Sequence, residues 1–350
     1  MNSQTFRFEV ITPCFCAGAV PEEQAEIRAP SIRGQLRWWF RVLGGFRALS
    51  LPLARQEAEI FGSAAGDKGA ASPLVVRVAP TGSVPLRSTM RRDAAQMHAT
   101  VRDPRGYLLW PLQNKPRAAF DFPQLPTFDL RIQWRGDSER WSDIQALIAI
   151  FGHLGALGFR SRRAMGALGF VGPGPDLAAA LQRFASPDSL ILRQLPARNA
   201  QDAIDALARW LKGWRAHGRT QDHDRARPGE PPDNVGFEYA RRDHDVGLGL
   251  HRGPVFRPAL GLPIIQNYSQ GRRRANWEWD WDPKRRRGTG RFASPVLLRP
   301  HRDGGGWRAL VIFVESRRWP ADKNVFVDGQ RTPVSMELYE KMKADLSPFP

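Results

Sequence analysis

The chain has 350 residues, with 52 Lys and Arg against 35 Asp and Glu, a formal net charge of +17. That length favours two domains, each with chain enough for a core, and the excess of guanidinium groups excludes an acidic surface and points to anionic partners. Twelve Trp beside so many Arg suit a surface that follows phosphates and stacks bases, whereas no apolar run is long enough to span a membrane, no lipidation motif is present and the Met1-Asn2-Ser3-Gln4 start has no apolar signal region, so a soluble cytoplasmic protein without a membrane partner is expected.

Residues 5–12 alternate and predict a strand ended by Pro13. Cys14 and Cys16, the two cysteines of the chain, share one face at i and i+2. Neighbours on one strand make a poor disulfide, and no second ligand pair completes a metal set, so they read as reduced packing residues. The next helix is the best marked of the chain. Pro30 disfavours helical geometry before it, Ser31 offers an N-cap hydroxyl, and Gly44-Gly45 supply a left-handed stop. Between them Ile32, Leu36, Trp39, Phe40 and Leu43 form an apolar stripe. Arg33, Arg37 and Arg41 recur at i, i+4 and i+8, about 100° round from that stripe. No acid in the helix balances them and two sit near its positive end, so a compensating anion is expected; the helix start and the guanidinium groups would both suit a phosphate. The competing reading is an ordinary solvated basic face.

A second helix is predicted over 53–61 and a strand over 73–79. Residues 81–114 are loop-like, with a short buried strand expected at 107–112. A strand follows at 127–134 and a strong helix at 141–157. The glycine-rich stretch after it holds Arg160, Arg162 and Arg163, and a strand returns at 167–171. Residues 1–172 therefore read β-α-β-β-α-β, the ferredoxin-like order shared with RNA-recognition domains. Gly172-Pro173-Gly174-Pro175 marks the expected boundary, with the second domain over 173–350. There, helices are predicted at 177–184 and 200–217, a mobile loop at 219–234 and a strand around 262–265. Arg272, Arg273 and Arg274 precede an extended segment in which Trp277, Trp279 and Trp281 share a face. That face is either a ladder for base stacking or an apolar face against the core or a partner. Segments 290–300 and 307–315 pair across a glycine-rich turn, and a short helix covers 335–346.

Three segments carry a resemblance. Ile11-Thr12-Pro13 with the run from Arg28 to Trp39, the loop Gly158-Phe159-Arg160-Ser161-Arg162-Arg163, and Arg291-Phe292-Ala293-Ser294-Pro295 together resemble the family of first Cmr subunits. These are RAMP-superfamily proteins of type III-B CRISPR–Cas effector complexes. Ala164 departs from the glycine that the family's loop would have there. The resemblance implies an α+β protein of two ferredoxin-like (RRM-like) domains, the second with a basic, Trp-rich insertion. It implies a non-catalytic RNA-binding subunit without cofactor or metal, placed near the guide RNA 3′ end and the incoming single-stranded target RNA. Its partners would be other RAMP subunits, notably the repeated backbone subunit and the sixth Cmr subunit. Ser31, Arg33, Arg37, Trp38, Arg41, Arg160, Arg162, Arg163, Arg272, Arg273, Arg274 and Arg291 are the RNA-binding residues expected. The alternative is a metal-independent endoribonuclease acting on guide precursors, with His153 as the candidate base.

Overall fold

A computed structural model describes residues 1–20, 22–64, 69–99, 103–215, 235–262, 264–267, 274–282, 287–304 and 306–349, with backbone alone at 265–267, 274, 280–282 and 287–290. In chain order the first half comprises β1 (Asn2–Val10), α1 (Ala29–Val42), α2 (Leu53–Phe61), β2 (Leu74–Pro80), α3 (Pro104–Leu109), β3 (Thr127–Trp134), α4 (Trp141–Leu154) and β4 (Leu168–Phe170). Its sheet is antiparallel throughout, in the order β2-β3-β1-β4. Phe6 lies opposite Leu130 and Phe8 opposite Phe128, so the period-2 apolar residues of both strands fall on the face that α1 and α4 cover.

The second half repeats this plan. It runs α5 (Leu177–Leu181), β5 (Leu190–Ala197), α6 (Ala200–Arg215), α7 (Phe237–Leu248), β6 (Ile264–Asn267), β7 (Arg274–Asp282), β8 (Arg287–Gly290), β9 (Val296–Asp303), β10 (Gly306–Val314), β11 (Asn324–Val327), β12 (Gln330–Pro333), α8 (Glu337–Ala344) and β13 (Ser347–Pro348). Strands β9-β10-β5-β13 make a second four-stranded sheet with the ferredoxin-like order of the first. The other strands form a third sheet, β6-β7-β11-β12 with β8 also on β7. That sheet is inserted between α6 and β9 and between β10 and α8.

One apolar cluster joins the two halves. Leu310, Ile312 and Val314 pack with Phe8, Phe40 and Leu147, whereas Ala309, Val311 and Phe313 pack under α6 and α8 with Leu207 and Tyr339. Strand β10 is thus covered on both faces, which is why its sequence is a continuous apolar run. Helix α4 is likewise buried nearly all round, as a helix without a polar face must be.

Several elements differ from the sequence reading. Helix α1 begins at Ala29 with an extended Arg28 as its cap residue and no side-chain cap. Pro30 lacks an N–H and has a helical φ, so it sits inside the first turn, and Ser31 is a helical residue rather than the N-cap. Residues 107–112 are helical, not a strand. Asp103 caps α3 by accepting from the Arg105 N–H at 2.8 Å, and a 3-10 turn over Trp110–Leu112 follows. Helix α4 stops at Leu154 because Gly155 turns extended, φ −76° and ψ 156°. Strand β5 and helix α7 carry weak sequence signals: Pro196 interrupts the first, and the second buries only Tyr239, Ala240, Asp243 and Gly247. Trp277 is fully buried in the core of the third sheet. Trp279 packs against Phe292 and Trp319, with ring centroids 5.7 and 4.9 Å away. Neither stands in a stacking ladder, and the Trp281 side chain lies outside the described residues, as does the loop expected at 219–234. Cys14 and Cys16 are free and buried.

Candidate nucleic-acid interface

The arginine stripe of α1 does have a compensating anion, and it is internal. Glu57 of α2 faces the stripe, accepting from Arg37 Nε and, at 2.5 Å each, from Arg41 Nε and Nη2. Hydrogen bonding by Arg41, then Arg37, outweighs burial and holds the Glu57 carboxyl below the usual carboxylate range. Arg33 turns the other way. Its Nη1 donates to Leu74 O at 2.8 Å and its Nη2 to Phe61 O at 2.6 Å, tying α1 to the end of α2 and the start of β2. Gln56, also on α2, is spanned on both sides: it accepts from the Phe46 N–H and donates to the carbonyls of Leu49 and Leu51. The sequence reading placed the arginines correctly on one face but could not see α2 folding across that face.

The glycine-arginine loop between α4 and β4 has four residues in left-handed geometry: Gly158, Arg160, Ala164 and Gly166, with φ of +83°, +65°, +69° and +66°. The third bears on the glycine noted above for the family's loop, and the fourth marks a close backbone approach. A Cβ at Gly166 would lie 2.0 Å from Leu157 O, and the Ala164 position adopts a conformation that glycine takes at no steric cost. This winding sends the three loop arginines in three directions. Arg160 donates to Leu108 O at 2.5 Å, and burial, then the neighbouring Arg215 charge, bring its pKa down to about 10. Arg163 is buried, donating to Arg162 O and to Val296 O at 2.8 Å, so it fastens the loop to the second half of the chain. Arg162 alone projects back toward α1, its guanidinium 5.4 Å from the centre of the Trp38 ring.

Arg162 and Trp38 frame a cleft of about 190 Å³ between the two halves. Gly34, Gln35 and Trp38 of α1 form one wall, Ser161 and Arg162 the second, and Leu297, Leu298 and Arg299 of β9 the third. No carboxylate lines it. Arg299 is fully buried and donates to the carbonyls of Gly152, His153, Gly155 and Leu168. Its own hydrogen-bonding capacity is therefore committed to the end of α4. The Arg162 guanidinium keeps its N–H groups free of protein acceptors among the described residues, and burial followed by the Arg317 charge pushes its pKa down. A cation without a counter-charge, set over an aromatic face, suits a phosphate with its base or sugar against the ring. Gln35, Ser161 and Arg299 were missed in the sequence. Gln35 and Gly34 were legible as neighbours of Trp38 at helical spacing, whereas Ser161 and Arg299 reach the cleft only through tertiary folding.

The remaining nominated residues lie apart. Ser31 is half-buried in the first turn of α1, and Arg291 is exposed beyond β8. Arg272 and Arg273, and the side chain of Arg274, lie outside the described residues. His153 is buried, with Nε2 2.7 Å from Pro175 O and Nδ1 3.3 Å from His301 Nε2. Both ring nitrogens are engaged, and burial lowers its pKa. Among the described residues no group of His, Cys, Asp and Glu could hold a metal, and no helix is long and apolar enough to cross a membrane.

Two ferredoxin-like units joined at a glycine-arginine loop define a class. Residues 7–169 match the family model of the RAMP superfamily. More particularly, the chain is similar to CRISPR system Cmr subunit Cmr1-1 of Pyrococcus furiosus, 29% identical over 176 residues, 49% of this chain and 48% of that protein. It is also similar to Cmr1-2 of the same organism, 38% identical over 65 residues, 18% of this chain and 34% of that one. The matches thus span about half and a third of those relatives. The fold extends further: the crystal structure of Cmr1 from Pyrococcus furiosus in its apo form superposes with a TM-score of 0.55 at 19% identity, covering 99% of this chain and 97% of that one.

Proposed function

We propose that this chain is a Cmr1-like, RNA-holding subunit of a type III-B CRISPR effector complex and does not itself cut RNA. The observation that carries the reading is the cleft at the junction of the two units, where Arg162 stands over Trp38 with no carboxylate on the walls. Guide RNA near its 3′ end, or the incoming single-stranded target, supplies the phosphate. Guide–target pairing reads the sequence and the protein reads backbone and shape. Arg37 and Arg41, bound to Glu57 yet nearly half exposed, form a basic rim beside the cleft. The repeated backbone subunit and the sixth Cmr subunit are the protein partners that this role requires.

The test is binding of end-labelled single-stranded RNA over a salt series, with native and denaturing gels run in parallel. Arg162→Ala is expected to weaken binding uniformly across sequences and to reduce the salt slope by about 0.7, the value of one phosphate contact on a single strand. Trp38→Ala is expected to cost about 1–3 kcal/mol of stacking, with the RNA intact in every lane. Unchanged affinity in both folded variants would overturn the reading, and discrete metal-free cuts would replace it with the endoribonuclease.

A further inference from the structure

Helix α1 carries a glycine in its middle that no described neighbour requires. Gly34 is exposed, and a Cβ built on it would meet no atom within 4 Å. Glycine inside a helix is less stable than alanine, so its presence there calls for a reason. Gly152 of α4 has one within the chain, since its Cβ would strike the Phe170 ring at 2.2 Å. Gly213 of α6 also faces open space, but it stands next to residues 216–234, which lie outside the described residues. Gly34 instead forms part of the wall of the cleft at Trp38.

The side chains around this notch are of three kinds. Trp38, at i+4, lies on the same face of α1, and Arg162 stands 5.4 Å from its ring centre. Gln35 and Ser161 are the neutral polar side chains of the cleft; both are half-buried and neither has a protein partner among the described residues. The other walls offer no competing polar side chain. Leu154, Ala156, Leu297 and Leu298 are apolar, the Trp39 Nε1 is closed off from the cleft, and Arg299 is committed to the end of α4. A bare helix surface, an aromatic ring, a guanidinium and neutral hydrogen-bonding groups are what the parts of one nucleotide need.

Resting on the RNA-holding role above, we infer that the cleft selects ribose over deoxyribose, and that Gly34 is the residue that makes this possible. The sugar of one unpaired nucleotide lies directly on the α1 backbone at Gly34, with its 2′-hydroxyl on the Gln35 amide. That hydroxyl both donates and accepts, as the amide does. Trp38 lies about one helical turn further on, roughly 5.4 Å along the axis, where it takes the base. Arg162, with Ser161 beside it, takes the phosphate. Deoxyribose would leave the Gln35 amide unpaired, and a methyl group at position 34 would fill the space of the sugar. The cleft thus tells RNA from DNA without reading the base.

Fluorescence anisotropy of the full chain with end-labelled oligo(U) and oligo(dU) of equal length tests this, since the two differ only in the 2′-hydroxyl. The parent is expected to bind oligo(U) roughly two- to tenfold more tightly, the value of one net hydrogen bond. Gly34→Ala should abolish that preference and yet raise the melting temperature, because alanine favours the helix. Gln35→Ala should bring oligo(U) down to the affinity of oligo(dU) and leave oligo(dU) unchanged. Equal affinity of the parent for both oligonucleotides, or a preference that survives in either variant, would overturn the inference. So would a Gly34→Ala protein that loses the preference together with its stability. Arg162→Ala judges the cleft separately. If it weakens both oligonucleotides while the parent binds them alike, the RNA cleft stands without the ribose contact. If it leaves both unchanged, or the parent binds neither, the cleft falls as well.

Discussion

Arg299 is the residue whose removal should be felt most. Its guanidinium lies fully buried between the units and donates to His153 O at 2.5 Å, Leu168 O at 2.6 Å, Gly152 O at 2.9 Å and Gly155 O. Gly152 and His153 are in the last turn of α4, whose carbonyls have no partner inside the helix, and a cation there also meets the negative end of the helix dipole. Hydrogen bonds to charged groups contribute roughly 1.5–3 kcal/mol each before desolvation. Burying the cation offsets several kcal/mol of that sum, as the fall of its pKa to about 9 through burial indicates. Arg299→Met removes the cation, keeps most of the volume and leaves four carbonyls stranded. The expected loss is about 3–5 kcal/mol, the range for taking one partner from a buried charged contact and a large part of the roughly 5–15 kcal/mol by which a domain is stable. Urea unfolding followed by far-ultraviolet circular dichroism and tryptophan fluorescence would show the midpoint falling in both signals. Arg299→Lys should recover only part of the loss, because a point charge cannot fan out to four acceptors. A Met variant within about 1 kcal/mol of the parent would refute the view that this arginine holds α4 against β9.

Other substitutions separate structural from binding roles. Gly166→Ala forces an L side chain to φ +66° with its Cβ on Leu157 O, and should lower stability by about 2 kcal/mol or more, read as a drop in melting temperature. Trp277→Ala empties a fully buried site in the third sheet, costing about 3–5 kcal/mol, while RNA affinity of the folded fraction should stay unchanged; a loss of affinity without loss of stability would restore the stacking ladder. Glu57→Gln should destabilise the α1–α2 contact near neutral pH. The folded carboxyl titrates below its ordinary value near 4.5, so the stabilisation by Glu57 is present above that value and fades as pH falls through the folded pKa. The parent and Glu57→Gln melting temperatures should therefore converge only on acidification below about pH 4.5; a constant gap down to pH 3 would contradict the pairing.

What was legible in the sequence was local. The alternation of residues 127–134 gave the full extent of β3, and the stripe Ile32-Leu36-Trp39-Phe40 gave the buried face of α1, because periodicity reports which side of an element is covered. The glycines at 158 and 166 likewise announced a loop that only left-handed residues can make. What was not legible depended on partners distant in the chain. Glu57 looked like any acid of a short helix until α2 crossed the arginine face. Nothing local singles out Arg299 within the predicted strand pair, because only the packing of its strand between two layers buries it. The Trp277 face is polar-apolar alternating in sequence whether it stacks bases or covers a core, and only the third sheet decides between the two.

The disposition of the arginines bears on how strongly the isolated chain can hold RNA. Seven nominated arginines have described side chains. Arg33, Arg160 and Arg163 are bound to main-chain carbonyls, and Arg37 and Arg41 share Glu57. Arg162 and Arg291 remain without a protein acceptor among the described residues. If all seven met phosphates, the salt slope on single-stranded RNA would be about 5, at about 0.7 per contact; two contacts give about 1.4 by the same rule. The net charge of +17 raises the encounter rate of RNA with the surface but does not add contacts. The isolated chain is therefore expected to bind with a shallow slope, to lose about half of it on Arg162→Ala, and to keep it on Arg33→Ala, whose effect should appear in stability instead. A slope near 5 that falls on Arg33→Ala would mean that RNA draws these side chains away from their carbonyls. In that case the internal contacts would describe the resting arrangement of the groove and not its bound one.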